Sequence, residues 1–302
     1  MTTPRLTIVI PAHNREQVLK RTLDSVAAQE LRPLAVLLVD NGSSDSTLAV
    51  MREWAASDHG LDVRVLQESK PGAAAARNRG LSEVRTEWTM FFDSDDTMRS
   101  DHCKRALEAA DGVDLVGWNV LMHFDDGTSA VKKFYCSDAQ YHSLFHGSTA
   151  TQRYMARTDL FRRAGGWDDG VRYWDDIELG ARLLELNPRM RHAGKELTVD
   201  VFASAHSITG ARYSDRVDVA STALEHIGRT LGPGRAAYIG LKTAILAGDC
   251  RREGAAAAAA ELMEHVLRTT QSSFMRMLLR AAYLYQAAGG RATARILRAF
   301  MP

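Results

Sequence analysis

The chain has 302 residues, of which 45% are hydrophobic and 25% charged, an ordinary globular composition with room for one large domain and a smaller one. The formal net charge of +1 gives no general field for attracting nucleic acid, so no nucleic-acid partner is expected. The apolar run that precedes Pro11 is too short for a secretion signal or a membrane span, which predicts a cytoplasmic protein.

The first hundred residues alternate short apolar runs with amphipathic stretches, a pattern typical of βαβ units and a mainly parallel sheet. The pattern predicts strands at 6–10, 35–39, 63–67 and 88–92, and helices at 15–29, 43–54 and 72–84. The strand at 88–92 is continuously apolar, as expected for a central strand buried on both faces. Ligands of open α/β sheets bind beyond the carboxyl ends of the strands, so functional residues are expected there.

The following region departs from the parallel sheet. Strands are predicted at 115–122 and 131–135, joined by a hairpin turn at Asp125-Asp126-Gly127, and helices at 153–163 and 176–186. From about residue 215 only helical patterns remain. We therefore divide the chain into an α/β domain at 1–214, with halves at 1–111 and 112–214, and an α-helical region at 215–302. The three cysteines lack disulfide or zinc spacing and are expected to be buried thiols, at Cys103, Cys136 and Cys250.

Three polar loops follow predicted strands and would meet at one edge of the sheet. They are Pro11-Ala12-His13-Asn14, the segment 40–45, which begins with Asp40, and Asp93-Ser94-Asp95-Asp96. Each loop alone fits a turn or a helix cap, but three in register predict a ligand site. Three carboxylates at the end of a buried strand repel one another unless a cation or hydrogen bonds offset the charge. A hard divalent ion such as Mg²⁺ or Mn²⁺ suits them and would also bind a diphosphate, whereas the alternative is an acidic cap at a helix start.

Two other segments carry candidate residues. Gly72 and the alanines after it would let the backbone approach a ligand that Arg77 and Arg79 could reach, although a tightly packed helix with solvated arginines is equally consistent. Two adjacent acids, Asp175 and Asp176, begin a predicted helix beside aromatic residues and could supply a general base near a sugar-binding platform, or could simply cap the helix. His206 is a lone histidine, more often structural than a metal ligand.

Taken in order, these segments resemble glycosyltransferase family 2 across about residues 5–210. The segments that carry the resemblance are IVIPAHNRE, VDNGSSDST, KPGAAAARNRGL, FFDSDD, GGWDD and DDIELGARLL. The resemblance implies an α/β GT-A fold with a Rossmann-like, mainly parallel sheet, and an inverting, metal-dependent sugar transfer to an acceptor hydroxyl. His13 stands where a tyrosine is common in the family, and Asp175 where a glutamate is usual.

The resemblance also implies a role for each matching position. Asp176 would be the catalytic base. Nucleotide-sugar contacts would come from Pro11, Ala12, His13, Asn14, Asp40, Gly72, Arg77, Asp93 and Ser94. Mn²⁺ or Mg²⁺ would be held by Asp95, with Asp96 as an alternative, and by His206. The acceptor side would contain Trp167, Asp168, Trp174 and Asp175. A UDP-sugar is the favoured donor, and other nucleoside-diphosphate sugars remain possible.

Several other interpretations stay open. The sequence from Asp93 to Thr97 also fits the haloacid-dehalogenase-like phosphatases, with Asp93 as nucleophile, although that motif usually follows the first strand. A nicotinamide-binding enzyme would need GxGxxG glycines at the first turn, which are missing, and a nucleotidyl transferase would need a glycine-rich, arginine-containing turn there. A non-catalytic nucleotide-binding scaffold is a further alternative.

The basic, apolar segments 274–288 and 292–301 could bind an anionic membrane peripherally, but helix packing explains them more simply.

Overall fold

The computed structural model describes residues 3–203 and 212–300. The strands, in chain order, are β1 (Leu6–Ala12), β2 (Ala35–Asp40), β3 (Asp62–Gln67), β4 (Trp88–Phe91), β5 (Thr97–Met98), β6 (Leu115–Gly117), β7 (Val120–His123), β8 (Ser129–Lys132), β9 (Tyr154–Arg157), β10 (Met190–His192) and β11 (Val199–Phe202). The α-helices are α1 (Leu19–Ala27), α2 (Thr47–Ala56), α3 (Ala73–Glu83), α4 (His102–Glu108), α5 (Ala139–His146), α6 (Thr158–Arg163), α7 (Asp175–Glu185), α8 (Val217–Leu231), α9 (Ala236–Arg252), α10 (Ala256–Thr269), α11 (Ser273–Ala287) and α12 (Thr293–Leu297). Short 3₁₀ helices cover Thr151–Arg153, Tyr213–Arg216, Pro233–Arg235 and Arg298–Phe300.

The larger of two sheets has seven strands in the order β10-β6-β9-β4-β1-β2-β3. β3, β2, β1 and β4 are parallel neighbours, as the alternating pattern predicts. Every residue of β1, β2 and β4 is buried, because helices cover both faces of a parallel sheet. These three strands end at the same edge, so the polar segments that follow them, 13–14, 41–45 and 93–96, are brought together.

The predicted helix over 153–163 is wrong in its first half. Tyr154–Arg157 form β9, which pairs antiparallel with both β4 and β6, and α6 begins only at Thr158. Three of the four residues of β9 are buried. Hydrogen bonds to β4 and β6 stabilise these residues as a strand. A buried segment of four residues is too short to show the periodicity that distinguishes a strand from a helix.

The predicted strand over 115–122 is two strands in different sheets. β6 belongs to the large sheet, whereas β7 pairs with β8 and β11 in a second sheet of order β5-β11-β7-β8. The chain changes direction at Trp118, whose backbone N–H and indole N–H donate to the carbonyl oxygens of Arg153 and Gln152. The hairpin between β7 and β8 is confirmed, with Gly127 in a positive-φ conformation, although β8 begins and ends earlier than the predicted 131–135.

Two helices approach their neighbours closely at glycines. Gly80 on α3 faces Val9 of β1, and Gly180 on α7 faces Thr149; a methyl group at either glycine would overlap the facing side chain. Each glycine follows, by about one helical turn, a charged residue of the candidate site. Those charged residues are Arg77 and Asp176.

The last part of the chain is helical, as its sequence predicts. α8 to α11 share an apolar cluster with α5 and α7 that includes Leu224, Leu241 and Leu279. Within the described ranges, none of the helices combines the length and apolarity needed to cross a membrane. Cys103 and Cys250 are buried as expected, but Cys136 is exposed because it lies in the loop between β8 and α5.

Candidate active site

The ends of β1 and β2 are joined by hydrogen bonds between the segments that follow them. His13 Nδ1–H donates to the carbonyl oxygen of Asn41 at 2.8 Å, and Asn14 Oδ1 accepts from the backbone N–H of Ser44, also at 2.8 Å. Pro11 and Ala12 lie inside β1, in register with the last two residues of β2. The segment at 11–14 is therefore half strand and half loop, and its polar residues are held against the loop that follows β2.

Asn41 fixes the loop that precedes α3. Its Nδ2 donates to the carbonyl oxygens of Glu68 (3.1 Å) and Lys70 (2.7 Å), while its Oδ1 accepts from the N–H of Gly72 at 2.8 Å. Gly72 has φ +123°, which favours glycine at this position. Asp40, which directly precedes Asn41 in the chain, is buried. Asn41 belongs to the predicted polar segment 40–45, and in the structure its side chain orders the neighbouring loop.

Arg77 connects the two acidic segments of the site. Its Nη2 donates to Asp93 Oδ1 at 3.0 Å, and its Nη1 donates to Asp175 Oδ2 at 2.9 Å. The residue is only 8% exposed, and its guanidinium lies 4.3 Å from the centre of the Trp167 ring. Segments more than 80 residues apart in sequence thus meet at one buried cation.

Gln152 connects the acids that follow β4. Its Nε2 donates to Asp93 Oδ2 (3.0 Å) and to Asp96 Oδ2 (2.9 Å), and Asp96 Oδ1 accepts from the backbone N–H of Phe202. Burial, followed by the charges of Asp93 and Asp95, raises the pKa of Asp96 well above its ordinary value. Burial and the charge of Asp93 also raise the pKa of Asp95. The cluster therefore favours a compensating positive charge.

The carboxylates of Asp95 and Asp96 fit a metal site that substrate phosphates would complete, rather than one made by protein ligands alone. Among residues 3–203 and 212–300, no three His, Cys, Asp or Glu side chains converge as metal ligands would. Mg²⁺ is commonly bound by one or two carboxylates together with substrate phosphates, which is compatible with this arrangement. Both carboxylate oxygens of Asp96 accept hydrogen bonds, whereas Asp95 Oδ2 lies 3.9 Å from Arg15 Nε. Asp95 is thus the more available ligand, and His206 lies outside the described residues.

Asp176 lies in the first turn of α7, next to the Asp175–Arg77 ion pair. Burial, and then the charge of Asp175, raise the pKa of Asp176 to about 7, against the opposing effects of the Ile177 N–H and Arg77. A carboxyl group with such a pKa can accept a proton near neutral pH. The alternative that Asp175 only caps α7 has less support, because its carboxylate binds Arg77.

The four predicted acceptor-side residues do not all face the same space. Trp174 and Asp175 directly precede Asp176, and the Trp174 ring stacks on Tyr173 at 4.8 Å. Trp167 is 3% exposed and packs beneath Arg77 and against Phe91. Asp168 Oδ2 instead accepts from His226 Nδ1 on α8 at 2.9 Å. Trp167 is therefore a buried support for Arg77 in this conformation.

Three residues that contact or adjoin the site carried no recognisable sequence signal. Gln152 and Arg153 lie in a 3₁₀ turn, and Lys242 lies in the helical C-terminal region. None belongs to a charged or glycine-rich motif. Only a polar residue inside an otherwise apolar helical pattern, as for Lys242, could have drawn attention to any of them.

Comparison with known protein families matches residues 7–163 to the model described as Glycosyl transferase family 2. Among curated relatives, a putative glycosyltransferase, EpsH of Bacillus subtilis, is 28% identical over 172 residues, covering 54% of this chain and 48% of the relative. A β-1,3-glucosyltransferase of Campylobacter jejuni, named for the acceptor GalNAc(5)-diNAcBac-PP-undecaprenol, is 27% identical over 107 residues, covering 35% of each. The chain spans about half or less of the length of these relatives.

Solved structures show the same fold. S. aureus TarS 1–349 in complex with UDP-GlcNAc aligns with a TM-score of 0.66 at 17% identity, over 98% of this chain and 92% of that one. The mannosyltransferase PcManGT of Pyrobaculum calidifontis, in complex with GDP-Man and Mn²⁺, aligns with a TM-score of 0.58 at 17% identity, over 98% and 87% of the two chains. These likenesses confirm the α/β GT-A fold class with a helical C-terminal region.

Proposed function

Because this chain belongs to glycosyltransferase family 2, we propose that it transfers a sugar from a nucleoside-diphosphate sugar to an acceptor hydroxyl, with inversion, at the site around Arg77 and Asp176. In this proposal residues 1–111 bind the donor, 112–214 supply the base and the acceptor side, and 215–302 form the helical region. The observation that carries it is the Arg77 bridge, which joins Asp93 to Asp175. That bridge brings the donor-side acids and the candidate base into one site.

The proposed reaction is a single displacement. The acceptor O–H gives its proton to the Asp176 carboxylate while its oxygen bonds to the anomeric carbon. The bond from that carbon to the diphosphate oxygen breaks, and the nucleoside diphosphate leaves with the electron pair. A pKa of about 7 leaves much of Asp176 ionised at neutral pH and still makes it a stronger base than an ordinary aspartate.

On the donor side, we assign nucleoside contacts to His13, Asn14 and Asp40, and diphosphate contacts to the backbone around Gly72 and Ser94. Arg77 already binds Asp93 and Asp175, so we assign it mainly a positioning role for these acids. UDP is the nucleotide that the family resemblance favours, but S. aureus TarS was solved with UDP-GlcNAc and PcManGT with GDP-Man. The donor base is therefore a point for experiment.

A divalent cation, Mn²⁺ or Mg²⁺, would be held by Asp95, with Asp96 or His206 as further candidates. When bound, such an ion would offset the negative charge of the diphosphate leaving group. The raised pKa values of Asp95 and Asp96 fit this assignment, because an added positive charge would favour their ionised forms.

The base assignment is tested by Asp176→Asn with Asp111→Asn as its control, since Asp111 is an exposed aspartate outside the site. The purified protein is first screened for thermal stabilisation by UDP-, GDP- and TDP-sugars, with Mn²⁺ and with chelator. Release of nucleoside diphosphate is then measured with the donor that binds. Losing general-base catalysis should reduce transfer by about a hundredfold or more in Asp176→Asn, while Asp111→Asn should keep wild-type transfer. Near-normal transfer by Asp176→Asn would refute the assignment.

The phosphatase alternative has less support. A nucleophilic Asp93 needs a free carboxylate oxygen, yet its two oxygens accept hydrogen bonds from Arg77 and Gln152. Phosphate release from generic phosphomonoesters, measured on the same preparation, tests this alternative directly. A non-catalytic nucleotide-binding scaffold would be stabilised by a nucleotide sugar but would release no nucleoside diphosphate from it.

A further inference from the structure

Lys242 reaches the base-bearing end of α7 from the helical C-terminal region. Its Nζ lies 4.5 Å from the centre of the Trp174 ring and 5.9 Å from that of Phe145. Trp174 directly precedes Asp175 and Asp176. Burial lowers the pKa of Lys242 to about 8, and the charges of Asp249 and then of Asp176 act in the opposite direction. α9 therefore contributes a cation to the surroundings of the proposed base.

The ammonium group of Lys242 forms no ion pair with the described residues, and Asp249, the acid whose charge acts on it most, is itself bonded to Arg252 and Gln286. Within the part of the chain that the structure describes, no Asp or Glu oxygen lies within 4.0 Å of its Nζ. Lys242 is half-buried, and its sequence neighbours Leu241 and Thr243 are buried. Aromatic faces offset part of the cost of desolvating a cation, but a carboxylate or another anion would offset far more.

Arg153 is a second buried cation without a carboxylate. It is 4% exposed, and its Nη atoms donate only to the carbonyl oxygens of Lys133, His146 and Gly147. Its Nε has no hydrogen-bond partner among the described residues. Burial lowers the pKa of Arg153 to about 10, and the charge of Asp176 acts in the opposite direction. Two desolvated positive charges thus adjoin Asp176.

The backbone at Trp174 adds an independent observation. Trp174 has φ +54° and ψ +28°, the left-handed region that a bulky side chain rarely adopts. Strain of this kind is concentrated at functional sites, where the surrounding structure maintains it. Here it holds the indole ring between Tyr173 and the Lys242 ammonium. The ring and the cation therefore form one surface next to Asp176.

We propose that the acceptor carries a phosphate or carboxylate group beside the hydroxyl that is glycosylated, and that Lys242 binds this group against Trp174. Arg153, whose Nη atoms are already engaged, contributes positive potential rather than contact. The inference rests on the proposed function, because it places the acceptor next to Asp176. It assigns α9 a role in choosing the acceptor, and it names the acceptor's chemical class.

The test compares each anionic probe with a neutral counterpart that shares its carbon skeleton. Thermal unfolding of the whole protein, with its nucleoside diphosphate and metal present, is followed while glycerol, glycerol 3-phosphate, glucose and glucuronate are titrated. Glycerol 3-phosphate or glucuronate should raise the Tm at concentrations at least about tenfold lower than the neutral counterparts. The probe that does so distinguishes phosphate from carboxylate, and a sulfate titration measures any general anion effect.

Three variants complete the test. Lys242→Met should abolish the preference for the anionic probe, and Lys242→Arg should restore part of it. Arg251→Met removes an exposed positive charge about 14 Å further along α9, at 1.5 Å per residue, where the side chain bonds the Tyr283 hydroxyl, and should keep the full preference. Without ligand, Lys242→Met should unfold at or above the wild-type temperature, because a desolvated charge is removed.

Equal protection by neutral and anionic probes, or equal losses in Lys242→Met and Arg251→Met, would overturn the proposal. So would a lower Tm for unliganded Lys242→Met, which would indicate a purely structural cation. Failure of the proposed function has a different signature: no nucleotide sugar would stabilise the wild-type protein, whatever the response to the anionic probes.

Discussion

The donor edge and the acceptor side of the candidate site are built in different ways. At the donor edge, Asn41, Gln152 and Arg77 each bind two or more groups from separate segments. On the proposed acceptor side, Lys242 and Arg153 are cations that form no ion pair with a carboxylate of residues 3–203 or 212–300. The charged and polar groups of the donor edge are therefore bonded to one another before any ligand binds, whereas those two cations are not paired with a carboxylate of the described residues.

This difference separates residues that maintain geometry from residues available for ligands. A fully bonded side chain contributes to stability, and its removal leaves buried partners unsatisfied. An uncompensated charge costs stability and is retained for another reason, such as binding. Variants of Asn41, Gln152 and Arg77 should therefore lower stability and activity together, whereas Lys242→Met should weaken binding of an anionic acceptor without lowering stability.

The largest expected effect is that of Arg77→Met. It leaves the half-buried carboxylates of Asp93 and Asp175 without their cation, which should lower the free energy of unfolding by about 3 kcal/mol, the lower end of the range for a broken buried pair. Urea denaturation measures this change. Arg79→Met is the matched control on the same helix: its Arg79–Glu83 ion pair is more exposed, so its loss should cost less than about 1 kcal/mol. Equal losses in the two variants would contradict the central role of Arg77.

The next effect is the pH dependence of transfer. Because the pKa of Asp176 is raised from 3.8 to about 7, its ionised fraction, and with it the rate, should rise about tenfold between pH 6 and pH 8. Initial rates at saturating donor, in buffers of constant ionic strength, measure this rise. A rate that stays flat from pH 5 to pH 8 would exclude Asp176 as the titrating base.

The same shift bears on stability. A raised pKa means that the folded protein binds the Asp176 proton more tightly than the unfolded chain does. This contribution to the free energy of unfolding is fully present below pH 3.8 and is lost as the pH rises through about 7. Asp176→Asn lacks this loss, so its stability relative to wild type should increase from pH 5 to pH 8.

The smallest of these effects is expected for Asn41→Ala. It removes the bonds to the carbonyls of Glu68 and Lys70 and to the N–H of Gly72, at a cost of about 1 to 2 kcal/mol. The loosened loop should raise the KM for the donor severalfold and leave the KM for the acceptor unchanged. Gln17→Ala, at an exposed residue of the same edge, is the control and should match wild type in both constants.

The same contrast explains what the sequence could predict. The donor edge follows buried parallel strands, so the segments after Ile10, Val39 and Phe92 could be placed together from local pattern alone. β9 was missed because its pairing with β4 and β6 is tertiary. Lys242 was missed because it meets Trp174 only after α9 packs on the rest of the molecule. Cys136 was misplaced because burial of a thiol depends on the path of its loop.

Several expectations stay predictions. The domain limits at 111 and 214, the role of each site residue, and peripheral membrane binding by 274–288 and 292–301 are untested. His206 lies among residues that the structure does not describe. Co-sedimentation of the protein with anionic liposomes, with and without residues after 270, is the direct measurement for the membrane question.

The glycine contacts of α3 and α7 have a consequence for engineering. Replacing a helical glycine with alanine is a common route to higher thermostability, and Gly80 and Gly180 would be obvious targets in any such programme. Here the added methyl group would meet Val9 or Thr149 and push the helix outward. Arg77 or Asp176, one turn away, would shift with it, and a displacement of about 1 Å can cost a hundredfold in rate. The spacing of the proposed catalytic residues therefore depends on the absence of a side chain at Gly80 and at Gly180.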